Sequence, residues 1–204
     1  MSLFESYVVE MQETLGALPL AALEACVDAL HRARVEDRQV FVVGNGGSAS
    51  TASHMACDLG KNTVMPGRPR FRVMALTDNM ATFSALANDV GYDNVFAEQL
   101  ANFVRREDIL VAISTSGNSA NVIRAVELAN RVGATTIGFS GYDGGKLAAM
   151  ADIPIVVPNY CVEQIEDIHL ILEHMLTVAL RKAIEADVGE DEAKAGVEVV
   201  SGVM

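Results

Sequence analysis

One stretch in the first third of the chain combines a glycine-rich turn with a titratable pair. The apolar run 40–43 meets the turn Gly44–Gly47, and small residues then lead to His54 and Asp58. This order predicts a strand, a tight turn and a helix. Glycine lets the backbone approach a ligand closely, and a helix start offers unpaired N–H groups to an anion. His54 and Asp58, four residues apart, share one helix face within a small molecule's reach of that turn.

The turn by itself supports two interpretations. Glycine-rich turns follow strands in many α/β proteins for structural reasons alone. Residues 44–47 match neither the dinucleotide fingerprint nor the Walker pattern. A phosphate site and a structural turn are therefore equally compatible with this motif, and the rest of the chain must decide.

A second loop of the same kind follows an apolar run at 109–113. It carries four hydroxyl side chains within six residues, at Ser114, Thr115, Ser116 and Ser119, and the amphipathic run 121–132 follows. Hydroxyls and exposed amides can surround a phosphate dianion as neutral donors. Helix capping would explain one such hydroxyl but not four.

The last predicted helix, from Val162 to about Ile184, holds two of the four histidines, His169 and His174. Each histidine taken alone is more often a buried core residue, and each acid a solvated charge. The polar side chains that accompany the histidines are Glu163, Gln164, Glu166, Asp167 and Glu173.

The alternation of apolar runs and helical periods predicts how these loops are positioned. We expect one doubly wound α/β domain, with a five-stranded, mainly parallel sheet flanked by helices and preceded by N-terminal helices at 3–15 and 20–35. Ligand loops then share the carboxyl edge of the sheet. The domain is expected to span 1–186, with an acidic, disordered tail at 187–204. The predicted strands are 39–43, 71–76, 109–113, 135–139 and 153–157, with further helices at 80–88 and 94–105.

The charge and residue composition of the chain restrict the kinds of molecule that it is expected to bind. The formal net charge of −12 on 204 residues argues against duplex nucleic acid and anionic membranes. It leaves room for a small anion, because backbone N–H groups bind phosphate locally. The chain has no apolar run of about 20 residues and no signal core. With three unpaired cysteines, a cytoplasmic protein is expected.

With these residues in view, the sequence resembles the phosphoheptose isomerases (sedoheptulose-7-phosphate isomerases) of the sugar isomerase, or SIS, superfamily. The likeness extends to about residue 185. It rests on the motifs Gly44–Ser48 followed by His54, Asn88-Asp89, Ser114–Val122, Asp143–Lys146, and His169 with His174.

The resemblance implies a homotetramer whose sites are shared between subunits, with one Zn²⁺ per subunit. It implies that Asp58 and His174 are the acid and base, and it leaves open which takes the first proton. The implied zinc ligands are His54, Asp58, Glu166 and His174. The implied substrate-binding residues are Asn45, Gly46, Gly47, Ser48, Asn88, Asp89, Ser114, Thr115, Ser116, Ser119 and Glu166.

Two of the implied ligands depart from the family. Its members usually have Glu where this chain has Asp58, and Gln where it has Glu166. Asp is one methylene shorter, and a second carboxylate adds charge that favours a divalent cation. Helical spacing alone does not select Glu166, because Asp167 lies nearer the face of His174 and Gln164 is a further alternative.

By this resemblance the chain converts sedoheptulose 7-phosphate to D-glycero-D-manno-heptose 7-phosphate, or a closely related heptose phosphate, by enediol proton transfer. Isomerisation of another ketose phosphate is one alternative. A second is a non-catalytic SIS protein that associates with a replication initiator or senses sugar phosphates. Such proteins lack the complete acid–base set, whereas this chain retains it.

Overall fold

Five parallel strands form a single sheet in the order β2-β1-β3-β4-β5. The computed structural model describes the backbone of residues 1–201 and the side chains of residues 1–187. The direction of winding reverses between β1 and β3, so the loops after these two strands lie side by side at the carboxyl edge. The predicted doubly wound fold is thus confirmed. The strands are β1 (Gln39–Val43), β2 (Arg72–Ala75), β3 (Ile109–Ser114), β4 (Thr135–Ser140) and β5 (Ile153–Val156).

Helices cover both faces of the sheet, as the apolar strands require. Along β1, Val40 and Val42 join one core cluster with residues of α2, α3 and α8, whereas Phe41 and Val43 join a second cluster with α5 and α6. This alternation follows from the two-residue period of a strand. The helices are α1 (Leu3–Gly16), α2 (Leu20–Val35), α3 (Gly47–Lys61), α4 (Met80–Asp89), α5 (Val95–Ala101), α6 (Ala120–Val132), α7 (Gly145–Met150) and α8 (Val162–Ser201), with a short 3-10 helix at Tyr92–Asn94.

Two boundaries differ from the sequence expectation by more than one residue. Helix α5 ends at Ala101 and not at Arg105. The reason is Asp108, whose carboxylate accepts hydrogen bonds from the backbone N–H groups of Arg105 and Gln39 and so fixes a turn before β3. Helix α8 continues to Ser201, beyond the expected end near Ile184.

The expected tail at 187–204 lies almost wholly outside the residues whose side chains are described, and its disorder stays a prediction. The single-domain division at 186 likewise stays a prediction. Within the described part of the chain, no single helix has the length and hydropathy to cross a membrane. Helices α1 and α2 meet that test only as a pair, and they are bent by 66° relative to each other.

Candidate active site

Two asparagines join the loops after β1 and β3. Asn45 Nδ2 donates to Asn121 Oδ1 at 2.8 Å, and Asn121 Nδ2 donates to Asn45 Oδ1 at 2.8 Å. The Tyr92 hydroxyl also donates to Asn45 Oδ1, at 2.8 Å. Because both amide groups bond in a reciprocal pair, the two loops are held in one fixed arrangement at the carboxyl edge of the sheet.

The serine loop, residues 114–119, closes on itself and on the loop after β4. Gly117 N–H donates to the Ser114 carbonyl at 2.8 Å, and the Ser114 hydroxyl donates to Ser119 Oγ at 3.1 Å. Gly117 has φ of +64°, and a Cβ there would collide with the carbonyl of Gly144. Only glycine fits this position, since it alone adopts the conformation freely and leaves room for the neighbouring backbone.

A pocket of about 170 Å³ opens above the two loops. Glu166 of α8 closes one side, and Gly47 lacks a side chain where a Cβ would collide with the Glu166 carboxylate. The pocket brings together most of the residues expected to bind substrate, and its polar lining is Asn45, Ser48, Ser114, Thr115, Ser116, Ser119, Tyr142 and Glu166. Gly46 and Gly47 adjoin this lining through Asn45 and Ser48.

Asn88 and Asp89 are not part of this pocket. They are exposed at the end of α4, where Asn88 Nδ2 donates to Asp89 Oδ1 at 2.8 Å. Helix α4 ends at Asp89, and the two side chains bond to each other there. Their expected contact with the sugar chain stays a prediction.

A larger cavity, of about 640 Å³, lies beside β2. Among the described residues, its lining includes Ser53, Met74 and Phe103, with Asp78 and Cys57 as its ionisable groups and no histidine. The smaller pocket, in contrast, has a lining rich in hydroxyls.

A cluster of four titratable side chains lies between α3 and α8. Asp58 Oδ2 is 3.7 Å from His54 Nε2 and 3.9 Å from His174 Nε2, and the two imidazoles face each other through Nε2 at 3.1 Å. Asp58 is nearly buried, whereas both histidines are exposed. The structure thus brings together three of the four expected metal ligands.

The fourth member of this cluster is Glu173 and not Glu166. Glu173 Oε2 lies 3.4 Å from His174 Nε2 and 4.0 Å from His54 Nε2, and its side chain is fully buried. Burial raises the pKa of Glu173, and the nearby Asp58 carboxylate adds to this effect. The hydrogen bond from Thr177 and the two histidines oppose it.

The sequence contains a signal for Glu173. Glu173 follows His169 by four residues and precedes Leu176 by three, so it lies on the buried stripe of α8. A glutamate at a core position is paired, binds a cation or stays protonated. The expectation for Glu166 rested on family resemblance, and α8 instead turns Glu166 towards Gly47.

The pocket of about 170 Å³ that is lined by the serine loop, called the serine pocket below, lies along the same two helices as the four-residue cluster. Helix α3 begins at Gly47 beside the pocket, and its rise of about 1.5 Å per residue places His54 about 9 Å beyond Ser48. Helix α8 likewise carries Glu166 at the pocket and His174 in the cluster. This separation is on the scale of an extended phosphosugar.

The cluster has the donors that a divalent cation requires. One ligand atom from each of His54, Asp58, Glu173 and His174 lies within 4.8 Å of the others. Two imidazole nitrogens and two carboxylate oxygens form a set typical of zinc. Among the described residues, Glu173 Oε2 has no hydrogen-bond partner, so this oxygen is available to bind a cation.

Known proteins are similar to this chain in sequence and in fold. A family model described as SIS domain matches residues 4–141. Phosphoheptose isomerase from Sulfurimonas denitrificans is 40% identical over 162 residues, which cover 79% of this chain and 80% of that protein. This chain belongs to the phosphoheptose isomerase family of SIS-domain proteins. The predictions of the family and of an isomerase enzyme are therefore confirmed.

Solved structures of family members agree. Phosphoheptose isomerase GmhA from Neisseria gonorrhoeae has a TM-score of 0.79 and 32% identity, covering 88% of this chain and 95% of its own. A phosphoheptose isomerase from Francisella tularensis has a TM-score of 0.81 and 33% identity, covering 88% of this chain and 94% of its own.

Proposed function

We propose that this chain interconverts sedoheptulose 7-phosphate and D-glycero-D-manno-heptose 7-phosphate. The observation that carries the proposal is the approach of Asp58 Oδ2 to His174 Nε2, 3.9 Å apart, beside a pocket lined with hydroxyls. The two groups come from different helices, so only the fold brings them together. Membership of the phosphoheptose isomerase family supports the same reaction.

The serine pocket holds the phosphate. Thr115, Ser116 and Ser119 supply neutral hydroxyl donors, and a charged acceptor strengthens each such hydrogen bond. The Ser114 hydroxyl donates to Ser119 Oγ and so orients it. The phosphate does not react, so its binding energy serves to position the distant carbonyl. The negative net charge of the chain does not prevent this, because the donors surround the anion at short range.

The reaction moves a proton between adjacent carbons through an enediol. One group removes the proton α to the carbonyl, and a partner exchanges protons with the oxygens. We assign these roles to Asp58 and His174, and either can act first. Asp58 has two carboxylate oxygens and His174 has two ring nitrogens. If one atom of each side chain binds a cation, its second atom is still available for proton transfer.

A divalent cation would be held by side chains of the four-residue cluster, and Zn²⁺ suits its mixed nitrogen and oxygen donors. When bound, such an ion polarises a carbonyl and the hydroxyl beside it. The chain's own residues still bind the phosphate, orient the sugar and transfer the proton.

The reaction is tested by incubating purified protein with sedoheptulose 7-phosphate and following the aldose product by NMR. We expect turnover with zinc present and less after treatment with a chelator. Fructose 6-phosphate and ribulose 5-phosphate serve as comparison substrates for chain length. If no aldose forms with or without zinc, the proposed activity is wrong, and tight sugar-phosphate binding without turnover would favour a sensing module.

A further inference from the structure

Glu173 is a fully buried glutamate whose two carboxyl oxygens are unequally satisfied by the described residues. Oε1 accepts a hydrogen bond from the Thr177 hydroxyl at 3.0 Å. Oε2 accepts none from the described residues, although it lies 3.4 Å from His174 Nε2. Burying a carboxylate is costly unless it is paired or coordinates a metal. Glu173 Oε2 therefore needs a partner, and that partner must lie in the cluster that Oε2 faces.

The neighbouring imidazoles do not supply that partner. His54 Nε2 and His174 Nε2 face each other at 3.1 Å, so a proton on either nitrogen is directed at the other ring and not at Glu173. A cation at the same place would accept both nitrogen lone pairs and the unsatisfied oxygen together. One ion thus binds His54 Nε2, His174 Nε2 and Glu173 Oε2 together, whereas these three atoms would otherwise compete for protons.

The spacing of the donors fits one small ion. Bonds of about 2.1 Å to a tetrahedral zinc place neighbouring donors about 3.4 Å apart. The five separations that involve a histidine run from 3.1 Å between the two imidazoles to 4.0 Å between His54 Nε2 and Glu173 Oε2, and the two carboxylates lie within 4.8 Å of each other. Asp58 Oδ2 falls within this range, at 3.7 Å from His54 Nε2.

Glu166 is engaged elsewhere. Its carboxylate lies against Gly47 and lines the serine pocket. Glu166 precedes Glu173 by seven residues, which is about 10 Å along the axis of α8. Each glutamate therefore serves a different end of the same site.

From these observations we infer that Glu173, in place of Glu166, is the fourth ligand of a divalent cation held by His54, Asp58 and His174. Two carboxylates and two neutral imidazoles balance the charge of one divalent ion. Glu166 is then left to accept hydrogen bonds from sugar hydroxyls. The inference rests on the proposed function only for this role of Glu166, because the ligand set is defined by metal binding alone.

The test compares two matched variants, Glu173→Ala and Glu166→Ala, which remove the same carboxylate from the same helix and leave no side-chain oxygen that could replace it as a ligand. Each protein is stripped with a chelator, and Zn²⁺ affinity is measured by competition with a chromophoric chelator. We expect one ion per chain in the wild type. Loss of an outer-shell partner costs 10–100-fold in affinity, so loss of a direct ligand in Glu173→Ala should cost about 100-fold or more. Glu166→Ala should bind within about twofold of the wild type.

Cobalt provides a second readout that needs no substrate. The visible absorption of bound Co²⁺ reports its ligands, and we expect Glu173→Ala to change the spectrum while Glu166→Ala leaves it intact. Thermal unfolding adds a control for folding: Glu173→Leu keeps the bulk, removes the buried charge and should be as stable as the metal-free wild type or more so. Zinc should raise the Tm of the wild type and not that of Glu173→Leu.

Three outcomes would overturn the assignment. They are a wild type that binds no stoichiometric metal, a Glu166→Ala variant that loses it, and a Glu173→Ala variant with unchanged affinity and cobalt spectrum. A protein that binds metal through Glu173 but fails to isomerise the heptose phosphate would contradict the proposed function and leave this inference standing.

Discussion

Asp58 and His174 are far apart in the sequence and 3.9 Å apart in the fold. We expect Asp58→Asn and His174→Gln each to lower kcat at least about 100-fold, because general acid–base catalysis contributes 10²–10⁴-fold. Binding of the sugar phosphate should persist, since the serine pocket is untouched. Steady-state kinetics and calorimetric binding of the substrate measure the two effects separately.

The matched control for this prediction is Asp28→Asn, which removes an exposed carboxylate of α2. It should retain wild-type kinetics. Full activity in either Asp58→Asn or His174→Gln would contradict the acid–base assignment. Loss of both turnover and phosphate binding would instead indicate that the variant had disturbed the whole site.

Replacing Ser119 tests whether a single hydroxyl of the serine loop contributes to phosphate binding. A hydrogen bond to a charged group contributes about 1.5–3 kcal/mol, so Ser119→Ala should raise KM about 10–100-fold with kcat little changed. Ser84→Ala is the control, because Ser84 is exposed on α4 and its hydroxyl bonds only to the Ala81 carbonyl. A fall in kcat at constant KM would argue against phosphate binding by Ser119.

Much of the candidate site could be predicted from the sequence, because its chemistry is local. The spacing of His54 and Asp58 follows from one helix, and the hydroxyls of 114–119 follow from one loop. The apolar stripe of α8 marks Glu173 as a core position, but spacing does not show whether Glu173 or Glu166 joins the cluster, because the choice depends on how α8 is rotated against α3. That rotation is set by long-range packing of the apolar stripe.

At the level of elements, the serine loop depends on a single backbone conformation. Gly117→Ala would force φ of +64° on a residue with a side chain and push its Cβ into the Gly144 carbonyl. We expect a loss of about 2–3 kcal/mol in the free energy of unfolding and weaker phosphate binding. Denaturant unfolding and substrate titration measure these two effects.

Gly67→Ala is a control that separates the two causes of destabilisation in Gly117→Ala, which are backbone strain and the collision with Gly144. Gly67 also has positive φ, +75°, but a Cβ there meets nothing within 4 Å. It should cost only about 1 kcal/mol, from backbone strain, and leave phosphate binding unchanged. Equal losses for the two variants would show that the collision with Gly144 contributes nothing.

His169 joins helix α8 to the end of β4. It is fully buried, and its Nε2 lies 3.3 Å from the Ser140 carbonyl. Burial lowers the pKa of His169 to about 4, and the hydrogen bond to Ser140 opposes this only in part. In the unfolded chain the same imidazole titrates near its ordinary pKa of about 6.5.

Stability should therefore fall as pH drops from about 6.5 to about 4, because the unfolded chain binds a proton at His169 that the folded chain does not. This group alone contributes on the order of 3 kcal/mol above that window. Urea unfolding at a series of pH values, with chelator present, measures the slope. His169→Gln should flatten the slope there, and an unchanged slope would contradict the assignment.

The elements themselves were predictable to the extent that their signals are local. Alternating apolar runs and helical periods predicted the parallel sheet, and Pro154, which has no N–H for a ladder hydrogen bond, is compatible with the position of β5 at the sheet edge. The end of α5 was not predictable, because the Asp108 carboxylate that fixes the turn also reaches Gln39, far away in the sequence.

For the whole molecule, helix α1 leaves apolar side chains facing solvent. Leu3 and Phe4 are 80% and 82% exposed, and Val8 is 54% exposed. The helix is nonetheless tied to α8, because the Tyr7 hydroxyl donates to Asp167 at 2.6 Å. That hydrogen bond raises the pKa of Tyr7 to about 12. An anchored helix with exposed apolar residues is typical of a surface that another chain covers.

We therefore predict that α1 contributes to the homotetramer expected from family resemblance. Light scattering coupled to size exclusion should give four copies of the 21.7-kDa chain. Phe4→Asp should shift the protein to smaller species, since a charge at an apolar interface loses its hydration. Val35→Asp, at an exposed apolar residue of α2 that is 54% accessible, should leave the tetramer intact. A wild type of one chain's mass would contradict the tetramer, and an unaffected Phe4→Asp tetramer would place its interfaces away from α1.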